Sequence, residues 1–187
     1  MKKAIEKIFK ESIEVKKATL DQNKDKIVTA VKAVTRALKR KRKVILFGNG
    51  GSAADSQHIA AELIGRFQRE RKALAAIALT TDTSILTALS NDYGYDIVFA
   101  RQIEGLGQKG DIAFGISTSG RSKNVIEGIK KAKRKGLVTI SLTGCGGGPL
   151  AKATDISLIV PSKNTARIQE SHICIAHAIC ELVEKQF

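Results

Sequence analysis

Val44-Ile45-Leu46-Phe47-Gly48-Asn49-Gly50-Gly51-Ser52-Ala53-Ala54-Asp55-Ser56-Gln57-His58, continued to Glu62, decides the fold. Four consecutive apolar residues are what a strand covered on both faces requires. Two glycines in a row then allow a sharp turn and a close backbone approach to a ligand. A helical pattern follows, and its first N–H groups carry a partial positive charge that suits a phosphate or a polar sugar. The turn is neither a dinucleotide G-x-G-x-x-G nor a Walker A loop, which would need Gly-Lys-Ser/Thr. Taken alone, it reads equally as a plain tight turn.

The same alternation continues downstream. Strands are expected at Leu74–Leu79, Ile112–Ile116, Leu137–Leu142 and Ile156–Val160. Helices are expected at Ser84–Ser90, Ile97–Leu106, Asn124–Lys135 and about Thr165–Lys185. Strands alternating with helices predict an α/β three-layer sandwich with a parallel sheet. Ahead of this pattern, Ile5, Ile8, Phe9 and Ile13 recur at helical spacing, as do Ile27, Val28, Val31, Val34 and Leu38. Asp21-Gln22-Asn23 between them is expected to turn the chain, giving a helical hairpin over residues 1–42 and the sandwich over 43–187, one domain in all. The hairpin stripe and the nearly all-apolar Ile173–Val183 need cover that a homo-oligomer would supply.

A second turn resembles the first. Ile112–Ile116 runs into Ser117-Thr118-Ser119-Gly120-Arg121-Ser122 and then a helix. One hydroxyl suffices for a cap, so four at a helix start favour a phosphate monoester. Both turns fall at carboxyl ends of strands, where open α/β sheets place ligands. His58 and Glu62, four apart, share a helix face within reach of one metal or of each other. Gln169 and His177 lie on the last helix, eight residues and roughly 12 Å apart. One metal touching both would have to sit between them, so different subunits could supply different ligands. Cys174, His177 and Cys180 rotate round their helix and read as small buried residues, and Cys145 reads as a loop residue.

The chain has 187 residues, 43% apolar and 27% charged, with a formal net charge of +14. That balance excludes general disorder, and no apolar stretch is long enough to span a membrane. The N-terminus lacks the apolar run of a secretory signal, because Glu6, Lys7, Lys10 and Glu11 interrupt it. Three loosely spaced cysteines fit a reducing cytoplasm. The charge first points to nucleic acid, but its distribution argues otherwise. Residues 1–43 hold 15 Lys/Arg against 5 Asp/Glu, and residues 120–135 hold 7 against 1, while 44–119 hold 6 against 8. With no Trp and few aromatics near the basic runs, no base-stacking platform is evident and no specific nucleic-acid partner is expected.

The stretch from Phe47 to Glu62 resembles the first motif of the phosphoheptose isomerases, which have a sugar isomerase (SIS) fold. Asn91-Asp92, Ser117-Thr118-Ser119-Gly120 with Ser122, and Ala166-Arg167-Ile168-Gln169-Glu170 with His177 match later motifs of that family in order. The resemblance implies a five-stranded, flavodoxin-like parallel sheet and a homotetramer with active sites at subunit interfaces. It implies isomerisation of D-sedoheptulose 7-phosphate to D-glycero-D-manno-heptose 7-phosphate, opening ADP-heptose synthesis for lipopolysaccharide. It further implies that Ser117, Thr118, Ser119 and Ser122 hold the phosphate, and that Asn49, Gly50, Gly51, Asn91 and Asp92 hold the sugar. Glu62 and His177 would be the acid/base pair, and His58, Glu62, Gln169 and His177 would bind one zinc ion per subunit. Whether zinc is catalytic or only organises the site stays open, because a metal-bound carboxylate is a weaker base. Two rivals share the fold: a non-enzymatic relative that binds the bacterial replication initiator, and sugar-phosphate-sensing regulators. The first departs from the family at the positions of Glu62 and His177. The second needs an added DNA-binding domain, for which no segment is spare.

Overall fold

The computed structural model describes residues 1–187. Helix α1 (Lys2–Lys39) leads into strand β1 (Val44–Gly48) and helix α2 (Gly51–Ile64). Strand β2 (Ala76–Ala78), helix α3 (Thr83–Tyr93), a 3-10 turn at Tyr95–Ile97 and helix α4 (Val98–Leu106) come next. The chain closes with β3 (Ile112–Ser117), α5 (Lys123–Arg134), β4 (Val138–Thr143), α6 (Gly148–Ala153), β5 (Ile156–Ile159) and α7 (Thr165–Glu184). All strand pairs are parallel, in the order β2-β1-β3-β4-β5. The expected α/β sandwich with a five-stranded parallel sheet is therefore present, and every expected strand forms.

Side-chain alternation divides the core into two layers. Val44 and Leu46 of β1 join Ile112, Phe114 and Ile116 of β3 in a cluster covered by α1, α2 and α7. Ile45 and Phe47 face the other way, against Phe99 of α4, Val125 and Ile129 of α5, and Leu150 of α6. Helix α6 was not anticipated from the sequence. Pro149 falls in its first turn, where proline's missing N–H costs nothing. No helix is long and apolar enough to cross a membrane.

The expected hairpin over residues 1–42 does not form. Helix α1 is one unbroken helix of 38 residues, and Asp21-Gln22-Asn23 lies within it. No glycine or proline interrupts residues 2–39. Asn23, which alone would favour a turn, is fully buried and otherwise employed. Its Nδ2 donates to the Ile159 carbonyl (2.9 Å), and its Oδ1 accepts from the Ile159 N–H (3.0 Å). The side chain thus serves as a strand partner on the outer edge of β5. Tertiary hydrogen bonds override local propensity here. Asn23→Leu should leave both Ile159 groups unpaired and lower stability by about 2–4 kcal/mol, read from the urea midpoint. An unchanged midpoint would show that the clasp contributes nothing.

The apolar stripe of α1 splits at this clasp. Ile27, Ala30, Val34, Ala37 and Leu38 enter the core, whereas Ile5, Ile8, Phe9 and Ile13 are exposed.

Candidate active site

The strand order reverses at β1, and α2 after β1 and α5 after β3 pack on opposite faces of the sheet. A crevice opens at such a point, beyond the carboxyl ends of β1 and β3. The two turns expected to bind substrate flank it. Gly50 takes φ +56 and ends in open space, a conformation glycine adopts without cost. At Gly51 a β-carbon would run into the Gln169 amide. The missing side chain lets α7 lay Gln169 on the start of α2.

Asn49 is more constrained than its sequence position implied. Its amide pairs reciprocally with Asn124 of α5, two bonds of 2.9 Å. The Tyr95 hydroxyl also donates to Asn49 Oδ1 (3.2 Å). Asn124 and Tyr95 were not anticipated from the sequence. The available signal was an asparagine in the first turn of α5, behind a serine already able to cap it. Asn91 and Asp92 are exposed at the end of α3, joined by an Asn91 Nδ2 to Asp92 Oδ1 bond of 2.9 Å. They precede the 3-10 turn that carries Tyr95.

At the second turn the hydroxyls converge. Ser117 Oγ lies 2.9 Å from Ser122 Oγ and 3.4 Å from Ser119 Oγ. Ser119 Oγ accepts the Arg121 N–H (3.2 Å). Ser122 is the N-cap of α5, yet its side chain caps no helix N–H. Its hydroxyl remains with the cluster, and the Thr118 carbonyl accepts the Gly144 N–H (3.0 Å).

The titratable residues meet between α2 and α7. His58 Nε2 is 3.0 Å from His177 Nε2 and 3.3 Å from Glu62 Oε1. The Phe67 ring lies 5.3 Å from that of His177. Asp55, on the same face as His58, has a buried and unpartnered Oδ2. Burial pushes the Asp55 carboxyl up, against a smaller downward pull from His58 and His177. Its i, i+3 spacing to His58 was the signal that sequence reading passed over. Three expected zinc ligands are therefore brought together, and the fourth is not. Gln169 sits at Gly51, seven residues and about 10 Å along α2 from His58.

The donor set suits zinc. Imidazole and carboxylate are its usual ligands, and His58 lies 3.0 Å from His177 and 3.3 Å from Glu62, near the roughly 3.3 Å spacing of ligands round a tetrahedral zinc ion. Within one chain no three such side chains are placed to hold a metal ion. The three cysteines are free; Cys180 is buried, whereas Cys174 is exposed, contrary to the expected burial.

His172 faces the interior from α7 and is fully buried. Burial lowers its pKa from 6.5 to about 4, and the nearby Thr143 backbone opposes this only weakly. Neither ring nitrogen has a well-aligned hydrogen bond. The folded state therefore holds His172 neutral, and the unfolded state takes up its proton first as pH falls. Stability conferred by the neutral ring is complete above pH 6.5 and is lost between there and about pH 4. The full loss is about 3 kcal/mol. Urea melts at pH 7 and pH 4.5 should show a smaller acid loss in His172→Phe than in the unaltered protein. Equal losses would refute the assignment.

A parallel sheet of this order, with two glycine- and hydroxyl-bearing turns at its switch point and a carboxylate–imidazole cluster, is the framework of a sugar-phosphate-handling α/β domain. Residues 8–144 match the model of the SIS domain, and the chain belongs to that family. Within it the chain belongs to the phosphoheptose isomerases. It is 56% identical over 185 residues to the phosphoheptose isomerase of Aquifex aeolicus, covering 99% of this chain and 97% of that one. It is 53% identical over 189 residues to that of Sulfurimonas denitrificans, covering 100% and 96%. The solved structure of the phosphoheptose isomerase from Neisseria gonorrhoeae superposes with a TM-score of 0.93 at 44% identity, over 98% of both chains.

Proposed function

We propose that this protein converts D-sedoheptulose 7-phosphate to D-glycero-D-manno-heptose 7-phosphate, the step that opens ADP-heptose synthesis for lipopolysaccharide or related glycans. The observation that carries this reading is the contact of His58 with both Glu62 and His177 in a fold that also gathers the hydroxyls of Ser117, Ser119 and Ser122 at a helix start. Ketose–aldose interconversion needs a base at carbon, a proton donor at oxygen and stabilisation of the developing oxyanion. Glu62 takes a proton from C1 and returns it to C2. His177 donates a proton to the C2 oxygen and recovers one from the C1 hydroxyl as the aldehyde forms. Ser117, Thr118, Ser119 and Ser122 hold the phosphate; Gly50, Gly51, Asn91 and Asp92 bind along the sugar, and Asn49 keeps the two turns in register. His58, Glu62 and His177 would hold the zinc ion, with Gln169 of another subunit completing the set, and Glu62 and His177 would move protons only through atoms not bound to it. When bound, zinc supplies Lewis-acid stabilisation of the enediolate oxygens.

Two features support a homotetramer with interfacial sites. His58 and Glu62 lie about 10 to 16 Å down α2 from the glycine turn of their own chain, so a neighbouring chain can complete each site. The exposed Ile5, Ile8, Phe9 and Ile13 give that neighbour an apolar surface. The presence of both Glu62 and His177, each in contact with His58, favours an enzyme over a replication-initiator-binding relative. The test is an assay of purified protein with sedoheptulose 7-phosphate after chelation, with and without added zinc. Heptose formation that returns with zinc supports the proposal. No turnover in either condition refutes it.

A further inference from the structure

Residues 65–75, between α2 and β2, form neither helix nor strand, yet two buried charges tie them down. Arg71 and Glu184 have side chains only 5% and 1% exposed, with Arg71 Nε 3.3 Å from Glu184 Oε1. The Arg71 guanidinium donates to four backbone carbonyls: Glu62 (2.7 Å), Leu63 and Gly65 (2.8 Å each) and Lys72 (3.1 Å). The Glu184 carboxylate accepts the N–H groups of Phe67 (2.9 Å), Gln68 (2.8 Å) and Arg69 (2.9 Å). Burial pushes the Glu184 carboxyl up, but those three N–H groups and Arg71 together hold it below the usual carboxylate range. A buried pair is no measure of stability gained, but it fixes geometry, because breaking it strands a charge.

The geometry it fixes lies next to the acid/base residues on both sides. Arg71 closes the end of α2 at the carbonyl of Glu62 itself. Glu184 sets Phe67, whose ring rests against the His177 ring at 5.3 Å and 37°. We infer that Arg71 and Glu184 are a positioning pair for the isomerisation, setting Glu62 through its backbone and His177 through Phe67. This rests on the acid/base reading of Glu62 and His177. Both side chains are buried away from the crevice surface, so they act through the residues they hold, and displacement of a reacting group by 1 Å is enough to cost about 100-fold in rate.

The test compares the unaltered protein with Arg71→Lys and Phe67→Leu. Lysine keeps the charge but replaces a planar fork with a point donor that cannot span the carbonyls. Circular dichroism first establishes a temperature at which each variant is fully folded. There, Arg71→Lys should lower kcat with sedoheptulose 7-phosphate by about 10- to 100-fold and leave KM within about twofold. The chain has three histidines, so the His177 ring protons can be followed by NMR. Phe67→Leu fixes where that signal falls without the ring, and Arg71→Lys should move it towards that position while His172 stays in place. A folded Arg71→Lys protein with unchanged kcat, or with an unmoved His177 signal, overturns the inference. If Arg71→Lys does not fold, Phe67→Leu decides: a lowered kcat at constant KM supports the device, and an unchanged kcat overturns it. If the unaltered protein lacks isomerase activity, the acid/base reading fails by itself, and the NMR signal still reports whether the strap sets His177.

Discussion

Glu62→Gln should abolish isomerase turnover, a loss of about 10²–10⁴-fold in kcat, without changing the fold. Glutamine keeps the side-chain volume but cannot accept a proton from carbon. The contact that anchors this end of α2 runs from Arg71 to the Glu62 backbone carbonyl, which the substitution leaves intact. The Glu62 side chain is 21% exposed, so no deeply buried group loses its partner. His177→Gln should have a loss of the same order, since an amide cannot carry a proton between the two substrate oxygens. Both variants should melt within a few degrees of the unaltered protein. Near-normal turnover in either would sink the assigned roles, and a collapsed melting curve would show that the cluster is needed for folding instead.

Gly120→Ala should be the most damaging small substitution at the turn proposed to hold the phosphate. Gly120 has φ +63, and a β-carbon there would fall inside the Gly147 carbonyl. The two glycine-bearing loops also share hydrogen bonds, from Leu150 N–H to the Gly120 carbonyl (3.0 Å) and from Gly144 N–H to the Thr118 carbonyl (3.0 Å). An added methyl forces them apart and carries Ser119 with it. Left-handed strain and overpacking together should cost about 2–4 kcal/mol. KM for the sugar phosphate should rise about tenfold or more with a smaller change in kcat, because the phosphate is remote from the reacting carbons. Gly146→Ala is the control: φ is +76, but nothing lies within 4 Å of its β-carbon. It should cost only about 1–2 kcal/mol and leave KM alone. Equal effects of the two on KM would refute the role given to loop contact.

The strands were readable because burial on both faces writes a continuous apolar run, as in Val44–Phe47, and few other structures do. The turns were readable because glycines and clustered hydroxyls have few other uses at a strand end. What stayed hidden depends on contacts far apart in the chain. Asn23 looks like a turn residue until Ile159, 136 positions away, occupies its amide. Asn124 and Tyr95 matter only through Asn49, and Asp55 only through histidines on two helices. Spacing along α7 placed Gln169 far from His177, and packing against Gly51 then fixed its position. The extra helix α6 was obscured by the glycine run and proline that begin it.

The Asn23 clasp also bears on how copies of this chain can associate. An open sheet ends in two rows of backbone donors and acceptors, and a bare row invites another molecule to add a strand. Here the β5 row is engaged at Ile159 by a helix side chain, and the β2 row is only three residues long. Neither offers much of a template for runaway strand addition. Assembly is thereby steered to helix faces, where contacts are finite and a closed ring of subunits can stop growing.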